Sequence, residues 1–231
     1  MDFSLLERLF LFRSVPTDEL ERIFTGLKIT ETYFEKDDIL AMQDEPANRL
    51  IILLKGSVRG EMTDPAGKVV KVEDIYAPNP LAILFLFGEN NRFPVQATAN
   101  EDVTAIIISR QSVLRMLSMN ETILKNYLDI SADFASRLSR KLHLMSFRTI
   151  RQKVAMYLLE LAAKNEAHNG TKDSSIVVLD RTKAALAEYF GVSRQSLERE
   201  MSNMQSDALI IFGRKEITIL DPKALANLIN R

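Results

Sequence analysis

The spacing of apolar residues changes twice along this chain, and each change marks a new kind of structure. From about Ile29 to Ile108 they gather in short β-rich runs, Leu50–Leu54, Val69–Val72 and Thr104–Ile108. Turn clusters separate the runs at Glu35–Asp38, Lys55-Gly56, Asp64–Gly67 and Ala99–Asp102. Strands at this spacing predict an all-β barrel or sandwich. Asp64-Pro-Ala-Gly-Lys68 predicts a hairpin turn, with proline fixing one φ and glycine free to take a positive one. Ahead of the strands, Ser14–Gly26 predicts a short helix, with Thr17 as its cap, Asp18 and Glu19 in its first turn and Gly26 at its end.

From Glu121 to about Phe147 the period becomes helical. Leu124, Ser131, Leu138 and Met145 recur every seventh residue, as do Leu128, Ala135 and Leu142, with Tyr127 and Phe134 bordering the stripe. A helix of ~26 residues is ~39 Å long at ~1.5 Å per residue. Such a stripe suits a coiled-coil seam between two chains, although Ser131 and Lys141 weaken a purely apolar zipper. The alternative is a long helix packed on its own β-domain. Ile150–Lys164 predicts a further helix, residues 165–175 a polar loop, and Ser175–Leu179 a short strand.

The segment Asp180–Gln205 reads as two short helices joined at Gly191. Asp180 or Thr182 can cap the first, whose inner face is Leu186, Ala187 and Phe190. Val192 plugs the turn and Ser193 caps the second helix. Leu197, Met201 and Met204 fall at i, i+4 and i+7 on its core side, so Arg194, Gln195, Glu198 and Arg199 point outward. This is how the start of a recognition helix meets base edges in the major groove. Arginine pairs bidentately with guanine, glutamine with adenine, and glutamate accepts from cytosine. An αα-hairpin with a merely solvated face is the competing reading. Ala208–Phe212 and Glu216–Leu220 then predict a hairpin wing, with Arg214 and Lys215 at its tip as phosphate contacts.

Charge sharpens this division. The chain of 231 residues is almost neutral overall, with 30 Lys+Arg and 31 Asp+Glu. Residues 1–120 carry 13 basic and 18 acidic side chains, residues 121–150 carry 5 and 3, and residues 151–231 carry 12 and 10. An acidic front half and a mildly basic rear half predict two domains with different partners. The absence of cysteine excludes thiolate zinc sites, Cys-ligated iron–sulfur clusters and a cysteine nucleophile. The two histidines, His143 and His168, are too far apart in sequence to suggest a multi-histidine metal cup. With no His cluster and no paired-carboxylate motif, an enzyme on a cupin-like barrel is disfavoured. The first residues lack the basic start of a signal peptide, Glu7 and Arg8 breaking their apolar stretch. The longest apolar run, Leu81–Phe87, is far short of the ~20 residues that span a bilayer. A soluble protein without membrane contact is expected.

Together these features resemble the bacterial Crp/Fnr regulators. Leu53-Leu-Lys-Gly-Ser-Val-Arg59 resembles that family's β-roll glycine turn, and Gly191-Val-Ser-Arg-Gln-Ser-Leu-Glu-Arg199 its recognition-helix signature. The resemblance implies an α+β chain: a β-roll sensor domain over 1–120, resembling the jelly roll that binds cyclic nucleotides, a dimerisation helix over 121–149 and a winged helix-turn-helix over 150–231. It implies a cytoplasmic homodimer on near-palindromic double-stranded DNA, with RNA polymerase as a further partner and no catalytic activity. Ser193, Arg194, Gln195, Glu198, Arg199, Arg214 and Lys215 are then the DNA-binding set, with Arg194, Gln195 and Arg199 as base readers. A small-molecule-binding module with protein partners is the alternative from another class.

The sensor departs from the best-known members. The Gly-Glu that holds a cyclic nucleotide's ribose falls near Pro80-Leu81, and the phosphate-binding arginine near Asn91 or Arg92, which argues against cAMP. Gly88-Glu89 lies too close to Arg92 to be that pair. The missing cysteines exclude the iron–sulfur version. In place of the cassette stands Leu81-Ala-Ile-Leu-Phe-Leu-Phe87, an apolar wall suited to a flat hydrophobic ligand, or else one that packs on the long helix and leaves no pocket. Gly60–Lys68, the Ala77-Pro78 before the apolar run, and Pro94-Val95 with Ala99–Asp102 resemble the HcpR subgroup, regulators of the hybrid cluster protein, and this implies haem-based sensing of nitric oxide in nitrosative stress. Haem needs an axial ligand. Met62 is the first choice, unless it is a core methionine at a strand end, with His143 and Met145 behind it. Leu84, Phe85, Phe87 and Leu138 are the apolar ligand candidates, and Arg92 the anion contact.

Overall fold

The computed structural model describes residues 3–64, 66–169, 175–213 and 215–229, except the side chains of 166–169. Pro65 of the expected hairpin turn, Arg214 of the expected wing tip and the side chain of His168 lie outside the described residues. The chain forms two compact units, residues 1–134 and 135–231, and the division falls within the long helix.

The first unit opens with α1 (Phe3–Leu6), a 3-10 turn at Phe10–Phe12 and α2 (Thr17–Thr25). Thr17 does not cap α2 as expected. Pro16 holds the cap position in an extended conformation, and the Thr17 hydroxyl donates to Glu7. The strands β1 (Ile29–Phe34), β2 (Ile39–Ala41), β3 (Arg49–Lys55), β4 (Ser57–Thr63), β5 (Val69–Tyr76), β6 (Asn79–Leu81), β7 (Gln96–Ala99) and β8 (Val103–Ser109) form two antiparallel sheets. Their orders are β1-β8-β3-β6 and β2-β7-β4-β5. After β8 come α3 (Arg110–Met119) and α4 (Glu121–Ser146).

The near-continuous apolar runs in β3 and β8 follow from burial on both faces. Leu50, Ile52, Ile106 and Ile108 face a core shared with α2, α3 and the start of α4, which includes Leu20, Phe24, Met116 and Ile123. Ile51, Leu53, Val103 and Ala105 face the other sheet and meet Val58, Ala97, Ala99 and Phe93. β5 is the contrary case, an edge strand exposed along almost its whole length. Gly56 joins β3 to β4 at φ +85°, where an added Cβ would lie 2.5 Å from the Asp102 carbonyl oxygen. That close approach accounts for the glycine in the Lys-Gly-Ser turn. The Asp64–Lys68 turn is closed by the Asp64 carboxylate, which accepts from the N–H groups of Ala66 and Lys68.

The second unit holds the end of α4, then α5 (Ile150–Asn169), β9 (Ile176–Val178), α6 (Lys183–Phe190), α7 (Arg194–Ser206), β10 (Ile210–Phe212), β11 (Glu216–Ile219) and α8 (Pro222–Ile229). α5 runs beyond the expected Lys164, and the predicted hairpin is joined by β9 into a sheet of order β10-β11-β9. The core is the pattern read from sequence. Leu186, Ala187, Phe190, Leu197, Met201 and Met204 are buried with Val154, Leu158 and Ile217.

Along α4 the seven-residue stripe is left bare. Leu124, Leu128 and Phe134 in the first unit, and Leu138, Leu142 and Met145 in the second, are all exposed. This is a poor surface for a single chain to leave to water.

Candidate nucleic-acid interface and effector cavity

The turn between α6 and α7 is set by Gly191, at φ +68°, whose N–H bonds to the Glu188 carbonyl. Thr182 caps α6, accepting from Ala185 N at 3.2 Å, and Ser193 caps α7, accepting from Ser196 N at 3.1 Å. With Leu197, Met201 and Met204 turned inward, Arg194, Gln195 and Arg199 are exposed and Glu198 is partly so. Arg194 Nε donates to Glu198 at 2.9 Å, one helical turn on. Lys215 lines the same groove as Arg194 and Glu198, with a volume of 630 Å³, together with Arg181, Thr182 and Lys183 at the start of α6. Sequence reasoning missed these α6 residues as site residues. A capped helix start beside a recognition helix was the available signal, because such a terminus offers free N–H groups to a phosphate.

The mount behind this surface is polar and aromatic. Arg181 donates twice to Asp180, at 2.8 and 3.1 Å, and lies 4.3 Å above the Tyr189 ring. That guanidinium, with the Tyr157 hydroxyl, lowers the Asp180 carboxyl to about 2. Burial, and the proton it gives to Asp180, push the Tyr157 phenol upward. Asp180 therefore does not cap α6. Two ammonium groups serve the other end of that helix. Lys141 of α4 donates to the Tyr189 carbonyl and lies 4.5 Å above its ring, and Lys153 of α5 donates to the Phe190 carbonyl at 2.9 Å. Cations at a helix C-terminus complement its dipole. Arg151 ties α7 to α5 through Glu200 at 2.6 Å and Asp207 at 2.7 Å.

In the first unit a cavity of 260 Å³ opens where β6 and the following 3-10 turn, Ile83–Phe85, meet Phe93–Val95. Leu84 and Phe85 line it, alongside Pro80, Leu81, Ile83 and Phe93. Gly60, Ile75, Ala82, Pro94, Val95 and Ala97 complete the apolar surface, and Asn79 and Glu73 are its polar members. Ala82, before the 3-10 turn, sits in the left-handed region at φ 49°, a strained position for a residue with a Cβ.

The other expected ligand residues are elsewhere. Met62 is 42% exposed near the end of β4 and does not line the cavity. Phe87 packs edge-on against Tyr127 of α4, with centroids 5.8 Å apart. Arg92 donates to the Asp44 carbonyl and pairs with Pro46. Leu138 is exposed on α4, in the second unit. His143 and Met145 are also exposed on α4, His143 with its ring against Phe147. No His, Met, Tyr or Cys is among the residues that line the cavity, so this lining does not fit haem, which needs an axial ligand. Among the described residues no group of three or more His, Cys, Asp or Glu could hold a metal ion, and no helix is long and apolar enough to cross a membrane. One lining residue reaches the long helix: Phe85 meets Phe134 edge-to-face, at 6.4 Å and 72°.

Comparison with known proteins adds two domain families. Residues 31–120 match the cyclic nucleotide-binding domain, and residues 152–228 the Crp-like helix-turn-helix domain. The chain is 22% identical over 223 residues to a CRP-like cAMP-activated global transcriptional regulator of Mycobacterium tuberculosis, covering 96% of this chain and 97% of that protein. It is 20% identical to the transcriptional regulatory protein btr of Bordetella pertussis, covering 94% and 88%. Among solved structures, the catabolite activator protein of Thermus thermophilus aligns with a TM-score of 0.55 at 17% identity, over 96% of this chain and 99% of that one.

Proposed function

Because the chain belongs to the Crp/Fnr family of DNA-binding transcriptional regulators, we propose that it works as a homodimer whose recognition helices read a near-palindromic operator under control of a ligand in the β-roll. The observation that carries this reading is the register of α7. A serine cap and a buried Leu197–Met201–Met204 stripe leave Arg194, Gln195 and Arg199 at the exposed start of the helix, where base edges are met. Arg194, Gln195 and Arg199 read bases in this scheme, Glu198 lies beside them on the DNA-facing side and holds Arg194, while Ser193, Lys215 and Arg214 hold phosphates. The bare stripe on α4 is the dimer seam, which makes 121–149 a dimerisation helix between a 1–120 sensor and a 150–231 reader. Two half-sites one helical turn apart, ~34–36 Å, then face the two recognition helices. Such a protein acts in the cytoplasm, on promoters shared with RNA polymerase.

The gate runs through the cavity. Phe85 forms part of its wall and also packs on Phe134 of α4, so a ligand that moves the Ile83–Phe85 turn bears on the dimer helix. It shifts the equilibrium only by its unequal affinity for the two positions. The name of the M. tuberculosis relative and the match to the cyclic nucleotide-binding domain favour cAMP as an effector. The HcpR resemblance favours haem and nitric oxide, with no axial ligand in the lining to support it.

Selecting bound duplexes from a random pool, then titrating the selected site against a scrambled one at fixed physiological salt, tests the reading. The expected result is a palindromic site preferred by at least ~10³-fold. Equal, weak binding to both duplexes would refute it.

A further inference from the structure

We propose that the β-roll cavity takes a small uncharged aromatic molecule of one or two rings, in place of a nucleotide or a macrocycle. This rests on the family reading above, in which the cavity is the effector site.

Size comes first. Effector-sized pockets commonly measure ~300–1,000 Å³, and this one measures 260 Å³. An apolar cavity of roughly 150 Å³ already accepts benzene, so one or two fused rings match the space this cavity encloses. Chemistry comes second. Leu81, Ile83, Leu84, Phe85, Phe93 and Val95 present aliphatic and aromatic surface. Phe85 and Phe93 add aromatic surface to that lining, and aromatic pairs gain from edge and offset contacts.

Charge decides the class. Among the described residues no Lys, Arg or His lines the cavity, and the one carboxylate in its lining is Glu73. The guanidiniums near it are committed elsewhere: Arg49, 5.4 Å from the centre of the Phe93 ring, donates to the Leu40 carbonyl and to Glu45. Arg59 donates to Asp37, Glu61 and the Ala99 carbonyl, and Arg92 to the Asp44 carbonyl. A phosphate here would meet a carboxylate and no cation, and an ion desolvated without a partner is strongly disfavoured.

The test uses the full-length protein and defined probes: indole and naphthalene as neutral guests, 1-naphthoate as an anionic one, and cAMP. Binding is read by calorimetry, and DNA binding is read separately on the selected operator. Indole or naphthalene should bind at one site per chain, while 1-naphthoate and cAMP bind at least tenfold more weakly. Val95→Phe, which fills the cavity, should weaken the neutral guests at least tenfold. Glu73→Lys changes an exposed rim residue, so it keeps the test sound if Val95→Phe misfolds, and it should let 1-naphthoate bind. Tighter binding of cAMP than of both neutral guests overturns the proposal, as does neutral-guest binding unaffected by Val95→Phe in a folded variant. Loss of operator binding with indole binding intact would sink the regulator reading and leave this one standing. Operator binding with no neutral guest bound would do the reverse.

Discussion

Replacing Arg194 by alanine separates reading a base from merely sitting near DNA. In the free protein the Arg194 side chain is 65% exposed and held to Glu198 at 2.9 Å. An exposed i,i+4 pair of this kind is worth about 0.3–0.5 kcal/mol. A bidentate contact to guanine carries about 1–3 kcal/mol of discrimination. Leaving Glu198 to reach a base therefore costs little, and the net preference at that base pair is about 0.5–2.7 kcal/mol. At about 1.4 kcal/mol per tenfold, this is a factor of roughly 2 to 100. The assay is competition between labelled duplexes, each base pair of a half-site substituted in turn, at constant salt. Arg194→Ala should flatten the preference at one position and leave the others standing. Arg194→Lys should not restore it, because lysine lacks the planar fork. Glu198→Ala, by freeing Arg194, should tighten the preferred site by about 2-fold at most, the worth of the lost pair. Thermal stability should stay within about 0.5 kcal/mol, as for other exposed substitutions. A variant that keeps the full preference at every position would remove Arg194 from the readers.

Gly191→Ala should lower the second unit's stability by about 1–2 kcal/mol, because φ is +68° there and a Cβ is costly in the left-handed region. A melt should fall by about 4–8 °C per kcal/mol in a domain of ~100 residues, and an unchanged melt would show that the turn tolerates the Cβ. Leu142→Asp, on the exposed α4 stripe, should convert the dimer to monomer in light scattering and weaken operator binding. A persisting dimer would place the seam elsewhere. Asp180 is depressed to about 2 in the fold against an ordinary ~3.9. Its contribution is therefore present above pH ~4 and lost as pH falls toward ~2. Tyr157 is raised, so its contribution holds below pH ~10 and fades in stronger alkali. Circular dichroism against pH should show both limbs for the second unit, and Asp180→Asn should abolish the acid one.

The helix-turn-helix was readable residue by residue because its constraints are local. A cap, a glycine turn and an i, i+4, i+7 core stripe all fall within one short segment. Ser193 as cap and the buried faces of α6 and α7 are found where the pattern puts them. The doubly buried β3 and β8 were also legible, as unbroken apolar runs. The cavity of the first unit was only partly so. Leu84 and Phe85 belong to a visible apolar run, but Glu73, Ile75 and Phe93 come from separate strands and loops whose meeting depends on sheet order. Met62 shows the same limit. Two residues from Gly60, which lines the cavity, it is exposed near the end of β4, past the β4–β5 register shift between Gly60 and Glu61. Of the two caps the pattern offers for α6, Thr182 is the one used, and Arg181 and Tyr157 claim Asp180.

The lysine that α4 lays on the end of α6 has a consequence for the operator itself. Lys141 sits on the same helix as Leu138 and Leu142 and holds the carbonyl of Tyr189. In the dimer proposed above, the pitch between the two reading heads would be dictated by how the α4 helices mesh, and the letters they recognise by Arg194, Gln195 and Arg199. A change in the stripe should alter the tolerated spacer length while the half-site sequence stays the same. Paralogues could thus diverge in one property without touching the other.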